Sequence, residues 1–182
     1  MAENQKSLPR FFTSEPCRKG AFVALAPSES AHLVRVLRAE SGDRVRVFNG
    51  SGREFEGTIQ TADPDESTVR VDREISTHEV PPTAVHLAFA PPKGDRSDFL
   101  VEKATELGVD RLIPLTCERT QASQAEQAAK RVDRWQRKTV QAAKQCHRST
   151  LPQVLPPVCP AEFFVEPPGR LLVASTRAGS EN

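Results

Sequence analysis

The feature that most constrains the fold is a strand–helix–strand pattern spanning residues 84–120. Ala84–Ala90 is a mainly apolar run, which is typical of a strand buried on both faces. A helix follows whose apolar face is formed by Leu100, Ala104 and Leu107. Arg111–Thr116 is the next predicted strand. Because the unit is so compact, its strands must be parallel and joined by a right-handed crossover. The sequence therefore predicts an α/β region here.

Polar side chains accompany this unit at its strand ends and on its helix. Lys93 follows the first strand and Arg119 follows the second. Ligands bind outside these carboxyl ends in open parallel sheets. Glu102 and Glu106 lie one helical turn apart, with Lys103 between them. The pattern indicates a polar site, and the alternative is a solvated helix face with ordinary ion pairs.

Length and composition exclude several classes of protein. The chain has 182 residues, which allows one or two domains, and its 25 basic and 24 acidic residues give a net charge of +1. Any nucleic-acid surface must therefore be local. No apolar run approaches the roughly 20 residues of a membrane span, and the first residues lack a signal-peptide core. The four cysteines are scattered, which disfavours zinc or a disulfide framework and predicts reduced thiols in the cytoplasm.

The N-terminal part predicts a small β-barrel. Short strand patterns at 8–12, 21–25, 44–48, 53–61 and 68–75 surround one predicted helix, 27–39. The apolar stripe of that helix is predicted to be Leu33, Val36 and Leu37. The predicted organisation is a barrel at 1–76, a linker at 77–83 and an α/β region at 84–182.

The helix at 27–39 also carries basic residues. His32, Arg35 and Arg38 fall at three-residue steps, so the pattern predicts that they share one face. Such a face can contact phosphates, which positions a nucleic acid without reading its sequence. Arg10 could extend the patch. The alternative is an ordinary exposed basic face.

A long helix is predicted from a capping box at Ser123–Glu126 to about Cys146. Its buried seam is predicted to be Ala125, Ala128, Val132, Trp135, Thr139, Ala143 and Cys146. Its other faces carry Lys130, Arg131, Arg134, Arg137, Lys138 and Lys144, followed by Arg148. A polyanion would favour such a surface, and the alternative is a soluble helix exterior. Beyond it, the sequence predicts an irregular segment at 151–160, a short helix at 161–165 and a last strand at 170–175.

Four further segments are informative as whole strings: LPRFF at 8–12, HLVRVLRAESGDRVRVFNGSG at 32–52, KGDRSDFLVEKATELGVDRLIPLTCERT at 93–120 and WQRKTVQAAKQCHRSTLPQV at 135–154. They resemble one known family, the RsmE-type ribosomal RNA uridine methyltransferases of the SPOUT superfamily. They stand in the family's order and spacing.

The resemblance implies an α+β fold of two domains: a PUA-like RNA-binding barrel, then a SPOUT-type trefoil-knot methyltransferase domain. It implies a cytoplasmic homodimer that uses S-adenosylmethionine to form 3-methyluridine in small-subunit ribosomal RNA. The RNA-binding residues it implies are Arg10, His32, Arg35, Arg38, Lys103 and Arg148. The catalytic residues it implies are Lys93, Glu102 and Arg119.

The chain also departs from the family pattern. The Gly-Pro-Glu-Gly-Gly loop and the later Leu-Gly…Arg-Leu-Arg…Glu-Thr-Ala block of the donor-binding half do not occur in it. The expectation is an incomplete knot without its cofactor-binding motifs. Three interpretations stay open at this point: the family's methyltransferase, a catalytically silent RNA-binding relative, and a generic α/β protein.

Overall fold

The computed structural model describes residues 8–77, 83–92, 94–116, 123–165 and 169–174, and only the backbone of Thr77 and of residues 123–129. Its first half is a curled five-stranded sheet with the order β1-β3-β4-β5-β2. The strands are β1 (Arg10–Phe12), β2 (Phe22–Ala24), β3 (Arg44–Phe48), β4 (Arg53–Thr61) and β5 (Thr68–Thr77). β1 is parallel to β3, and the other pairs are antiparallel. All five predicted strands are confirmed.

The curvature of this sheet depends on a glycine in β4. A Cβ atom added at Gly57 would lie 2.6 Å from the carbonyl oxygen of Arg70 and 2.7 Å from a methyl group of Val69. β4 and β5 also shift register at three places, which bends the ladder. The bent sheet encloses a core that includes Phe11, Val45, Val47, Phe55, Ile59, Val69 and Val71.

The helix beside the barrel differs from its prediction. It begins as α1 (Pro27–Ala31) and continues as a π-helical turn, His32–Val36. Leu33 is fully buried, but Val36 and Leu37 are exposed. A π-helical turn has more residues per turn than an α-helix, so residues after Leu33 rotate away from the expected stripe. The predicted apolar stripe is therefore wrong beyond Leu33, and Val34 packs on the core instead.

The second half contains a three-stranded parallel sheet with the order β6-β7-β8. Its strands are β6 (His86–Phe89), β7 (Arg111–Pro114) and β8 (Gln153–Val154). The first two confirm the predicted strands. The prediction of a last strand at 170–175 is wrong over 170–174, which form no strand. The third strand is instead β8, a two-residue strand among prolines that lacks any strand pattern of its own.

Three helices accompany this sheet: α2 (Arg96–Glu106), α3 (Ser123–Gln145) and α4 (Pro160–Phe163). Trp135 of α3 and Val101 of α2 are buried against Leu112 of β7. Thr139 and Ala143 confirm the predicted seam of α3, whereas Cys146 lies past the helix end and is exposed. The capping box and the seam residues Ala125 and Ala128 lie outside the described side chains.

The predicted apolar face of α2 is confirmed at Leu100 and Ala104 and is wrong at Leu107. Val101 and Ala104 are buried and Leu100 packs partly against the same core, but Leu107 is 85% exposed. α2 ends at Glu106, and Gly108 then adopts a left-handed φ of 92°. The chain therefore turns away before Leu107 can reach the sheet.

Two features are absent from the described residues. Within the described ranges, no helix has both the length and the apolar character that crossing a bilayer requires. The described residues also contain no cluster of three or more His, Cys, Asp or Glu side chains arranged to hold a metal ion.

The π-helical turn can be tested with a matched pair of substitutions. Leu33→Ala should destabilise the chain by about 2–5 kcal/mol, because it leaves a cavity in the core. Leu37→Ala removes the same atoms from a residue that is 42% exposed, and should cost less than about 1 kcal/mol. Urea unfolding measures both values. Equal losses would show that the helix continues as the sequence predicted.

Cys17 should resist alkylation. Burial raises the pKa of its thiol to about 11, and the carboxylate of Glu15 adds to the shift. A rise of two units lowers the thiolate fraction about 100-fold, and the thiolate is the nucleophile. At pH 8, iodoacetamide should therefore modify the exposed Cys146 and Cys159 first. Peptide mapping by mass spectrometry, with a urea-unfolded sample as control, measures this. Rapid modification of native Cys17 would contradict its burial.

Candidate functional site: the cleft between the barrel and the helices

A cleft of about 670 Å³ lies between the barrel and the α2–α3 pair. The barrel side contributes Phe12 of β1 and the first turn of α1. The helix side contributes one residue of α2 and one face of α3. The lining residues are Phe12, Ala26, Ser28, Glu29, Asp98, Arg134, Arg137, Lys138, Val140 and Gln141.

Two ion pairs hold α2 against α3 along this cleft. Arg134 pairs with Asp98, and the Lys138 Nζ lies 2.6 Å from the Glu102 Oε2. The two acids are one turn apart on α2, and the two bases are one turn apart on α3. Side chains four residues apart share a helix face, so this matched spacing joins the two helices at two successive turns.

A third ion pair joins α3 to the barrel. The Lys144 Nζ donates to both carboxylate oxygens of Glu29 at 2.8 Å. The same carboxylate accepts a hydrogen bond from the backbone N–H of Phe12 at 3.2 Å. The Lys144 ammonium also lies 5.3 Å from the centre of the Phe11 ring. Of these residues, Glu29 and Phe12 line the cleft.

The cations of α3 therefore fall into two groups. Arg134, Lys138 and Lys144 are engaged by carboxylates of α2 and α1. Lys130 and Arg137 are exposed and Arg131 is half-buried, and none of the three has an ion pair among the described residues. Arg137 lines the cleft, so it is the α3 cation that stands free to meet an anionic ligand there.

The barrel residues predicted to bind RNA are exposed but do not share one α-helical face. His32, Arg35 and Arg38 are all exposed, and none of them has an ion pair within the described part of the chain. His32 and Arg35 lie in the π-helical turn, whereas Arg38 follows it with a left-handed φ of 54°. The prediction of a shared face is therefore corrected: the helix has ended before Arg38.

Two of the residues predicted to contact RNA are buried in the protein. The side chain of Arg10 is 5% exposed and that of Arg148 is 11% exposed. Arg10 pairs with Glu54 at 3.0 Å, and Arg148 donates to the carbonyl oxygens of Thr105 and Val109. Burial lowers the pKa of both guanidinium groups. Both guanidinium groups are therefore bound within the protein, and a direct contact of Arg10 and Arg148 with RNA stays a prediction.

Glu102, Lys103 and Glu106 form a small network on α2. The Lys103 Nζ lies 2.9 Å from Glu106 and 3.3 Å from Glu102. Hydrogen bonds from Lys138 and then Lys103 lower the pKa of Glu102. Hydrogen bonding to Glu106 raises the pKa of Lys103. A carboxylate whose pKa is lowered is a weak proton acceptor at neutral pH, so Glu102 suits holding lysines in place.

Lys93 and Arg119 lie outside the described residues. The strands before them are described: β6 and β7 are parallel neighbours, so their carboxyl ends lie at one edge of the sheet. The acids that organise the cleft, Glu29 and Asp98, were missed by sequence reasoning. The signal for one of them was present, because Asp98 and Glu102 have the same spacing as Arg134 and Lys138.

Comparisons with known proteins agree with this architecture. The family model for an RNA methyltransferase PUA domain matches residues 25–72, and that for an RNA methyltransferase domain matches residues 79–181. A ribosomal RNA small subunit methyltransferase E from Bacillus subtilis is 26% identical over 152 residues, which cover 81% of this chain and 59% of the relative. The one from Synechocystis is 32% identical over 143 residues, covering 79% and 46%. The chain thus spans less than two thirds of these relatives.

Two solved structures extend the comparison. A putative methyltransferase from Legionella pneumophila, in complex with the cofactor SAM, has a TM-score of 0.81 and 30% identity, covering 90% of this chain and 68% of that one. A ribosomal RNA small subunit methyltransferase E from Neisseria gonorrhoeae, bound to S-adenosyl methionine, has a TM-score of 0.78 and 31% identity, covering 88% and 66%. The predicted fold, a PUA-like barrel followed by a SPOUT-type α/β part, is confirmed. The chain belongs to the family of RsmE-type RNA methyltransferases.

Proposed function

We propose that this chain acts in S-adenosylmethionine-dependent methylation of small-subunit ribosomal RNA, at the ring nitrogen N3 of a uridine. Family membership and the names of the relatives support the reaction class. The observation that carries the proposal for this chain is the cleft, where the barrel meets a helix rich in basic residues. We further propose a homodimer in the cytoplasm.

The RNA backbone would be held by the cations that have no carboxylate partner. We assign this role to Arg35, Arg38 and His32 on the barrel and to Arg137 in the cleft. Because phosphate contacts position a nucleic acid without reading its bases, this surface would orient the RNA. The uridine would be chosen elsewhere, at the strand ends.

The cleft suits RNA better than it suits the methyl donor. Three basic side chains and two carboxylates line it, and the sulfonium of S-adenosylmethionine is itself a cation. The donor fits better at the carboxyl edge of β6 and β7, where ligands of parallel sheets bind. There Ala90–Pro92 and Leu115–Thr116 remain partly or fully exposed and offer backbone atoms and a hydroxyl group. When bound, the donor supplies an electrophilic methyl group.

The proposed catalytic residues are Lys93, Glu102 and Arg119. Methylation at N3 requires the uridine to lose a proton, and nearby cations stabilise the resulting uridylate. Lys93 and Arg119 follow β6 and β7 in the chain, which favours that role. Glu102 is bound by Lys138 and Lys103, so we assign it to orienting cations rather than to accepting the proton. Lys103, half-exposed beside it, is paired with Glu106 and Glu102, so it would contact the RNA by exchanging one of these carboxylates for a phosphate.

The RNA surface can be tested through the salt dependence of binding. Arg137→Gln should weaken the affinity for small-subunit ribosomal RNA and lower the slope of log affinity against log salt by about one, because one phosphate contact is lost. Arg18→Gln removes a charge that is also exposed but lies outside the cleft lining, and it should leave the slope unchanged. Filter binding at several salt concentrations measures both. An unchanged slope in Arg137→Gln would show that the RNA does not bind in the cleft.

Donor binding can be tested by calorimetry. Titration of the chain with S-adenosylmethionine should give saturable heat if the strand edge holds the donor. S-adenosylhomocysteine, which lacks the transferable methyl group and the sulfonium charge, is the comparison ligand and should compete. If millimolar donor gives no heat while RNA still binds, the methyltransferase proposal fails for this chain and the silent RNA-binding alternative takes its place.

A further inference from the structure

Arg10 joins the barrel to the end of α3. Its Nε donates to the Glu54 carboxylate at 3.0 Å within the barrel. Its Nη1 donates to the carbonyl oxygen of Ala143 at 2.9 Å, and its Nη2 donates to that of Arg148 at 2.9 Å and to the Ser149 hydroxyl at 3.2 Å. The guanidinium group also lies 3.7 Å from the centre of the Phe48 ring. Each nitrogen of this buried group therefore has an acceptor.

Arg148 continues the connection from α3 to α2. Its Nη1 donates to the carbonyl oxygens of Thr105 at 3.0 Å and Val109 at 2.9 Å. Its Nη2 lies 3.4 Å from the Asp110 carboxylate, and its Nε donates to the Thr150 hydroxyl at 2.6 Å. The carbonyl oxygens of a last helical turn lack helical partners and favour a nearby cation. Arg148 supplies this cation at the end of α2, as Arg10 does at the end of α3.

The turn between these contacts is itself unusual. His147 follows α3 with a left-handed φ of 59°, a conformation that helix ends normally reserve for glycine. The next residue is Arg148, whose backbone is bound by Arg10 and whose side chain binds the end of α2. The turn is thus fixed on both sides, which is how a strained backbone persists.

We propose that Arg10 and Arg148 form a relay of two positioning residues, which locks the barrel to the ends of both helices and sets the geometry of the cleft. The relay runs from β1 to the end of α3 and from there to the end of α2. It holds the barrel cations, the free cation Arg137 of α3 and Glu102 of α2 in one arrangement. Neither arginine contacts RNA.

Unfolding followed by two signals tests the relay without any ligand. Trp135 is the only tryptophan and is buried in the core of the α/β part, so its fluorescence reports that part alone. Far-ultraviolet circular dichroism reports the whole chain. The two transitions should coincide in the unsubstituted protein and separate in Arg10→Gln and Arg10→Lys, because lysine cannot reproduce the planar fork of donors.

Arg46→Gln is the matched control. Arg46 is the register partner of Arg10 on the neighbouring strand, but its side chain is 37% exposed and lies 4.0 Å from Glu54. The Arg46→Gln substitution removes the same charge from the same pair of strands without breaking a contact to α3. The fluorescence and circular dichroism transitions of this variant should therefore still coincide. Transitions that coincide in the folded Arg10 variants, or separate in the unsubstituted protein, would overturn the relay.

Ser149→Ala keeps the test decisive if the Arg10 variants fail to fold. It removes one acceptor of Arg10, together with a donor to Glu54, and leaves the remaining bonds in place. A smaller separation of the two signals is expected. Coincident transitions in Ser149→Ala, with Arg10 variants that do not fold, would mean that Arg10 serves the barrel alone and would overturn the relay.

A second measurement uses RNA and rests on the proposed function. If Arg10 is a positioning residue, Arg10→Lys should weaken RNA binding at least fivefold, as much as Arg10→Gln does. If Arg10 contacts a phosphate, Arg10→Lys should stay within twofold of the unsubstituted protein, which would overturn the relay. An unsubstituted protein that binds no RNA would defeat the proposed function, and the unfolding result would still decide the relay.

Discussion

The buried guanidinium group of Arg10 is the constraint on which the arrangement of the two halves depends. A charge removed from water is costly unless its hydrogen bonds and its charge are compensated. Arg10 is satisfied only when Glu54 of the barrel and the carbonyl oxygens of Ala143 and Arg148 converge on it. Separating the halves would leave this guanidinium group without its acceptors on Ala143, Arg148 and Ser149. The structure therefore favours one relative placement of barrel and helices over a range of placements.

The same principle explains how so basic a helix packs against its neighbours. Arg134, Lys138 and Lys144 each meet a carboxylate supplied by another element, at Asp98, Glu102 and Glu29. Exposed ion pairs contribute little to stability, typically about 1 kcal/mol or less, so these pairs act mainly by fixing the alignment of α3 with α2 and α1. The hydrophobic contact of Trp135 with Phe89 and its neighbours provides the larger stabilisation.

Much of the fold could be predicted from the sequence, because local patterns decide it. The alternation in Arg44–Phe48 and the apolar run before Pro91 predict strands that the structure contains. β8 could not be predicted, since its two residues become a strand only by pairing with β7, which is distant in sequence. The π-helical turn could not be predicted either, because the composition of His32–Val36 does not differ from that of an α-helix. These elements are set by tertiary contacts.

The candidate site could be predicted less well, because the sequence does not show which arginines are buried against acceptors. By sequence, nothing distinguishes Arg10 and Arg148 from the exposed cations Arg35 and Arg137. What separates them is the presence of acceptors distant in sequence: Arg10 meets Ala143, and Arg148 meets Thr105. A charge pattern identifies cations but not their partners.

The pKa of Glu102 shows how the alignment of α2 with α3 depends on pH. Hydrogen bonds from Lys138 and Lys103 lower its pKa below the value in the unfolded chain. The resulting stabilisation is present above that unfolded value and is lost only as the pH falls through the lower folded value. The α2–α3 alignment therefore persists through neutral pH, and salt affects it only as far as exposed pairs are screened. An incoming RNA would have to displace a carboxylate to reach Lys138, whereas Arg137 requires no such exchange. The basic surface that is readily available to a polyanion therefore consists of the cations that are not paired with the protein's own carboxylates.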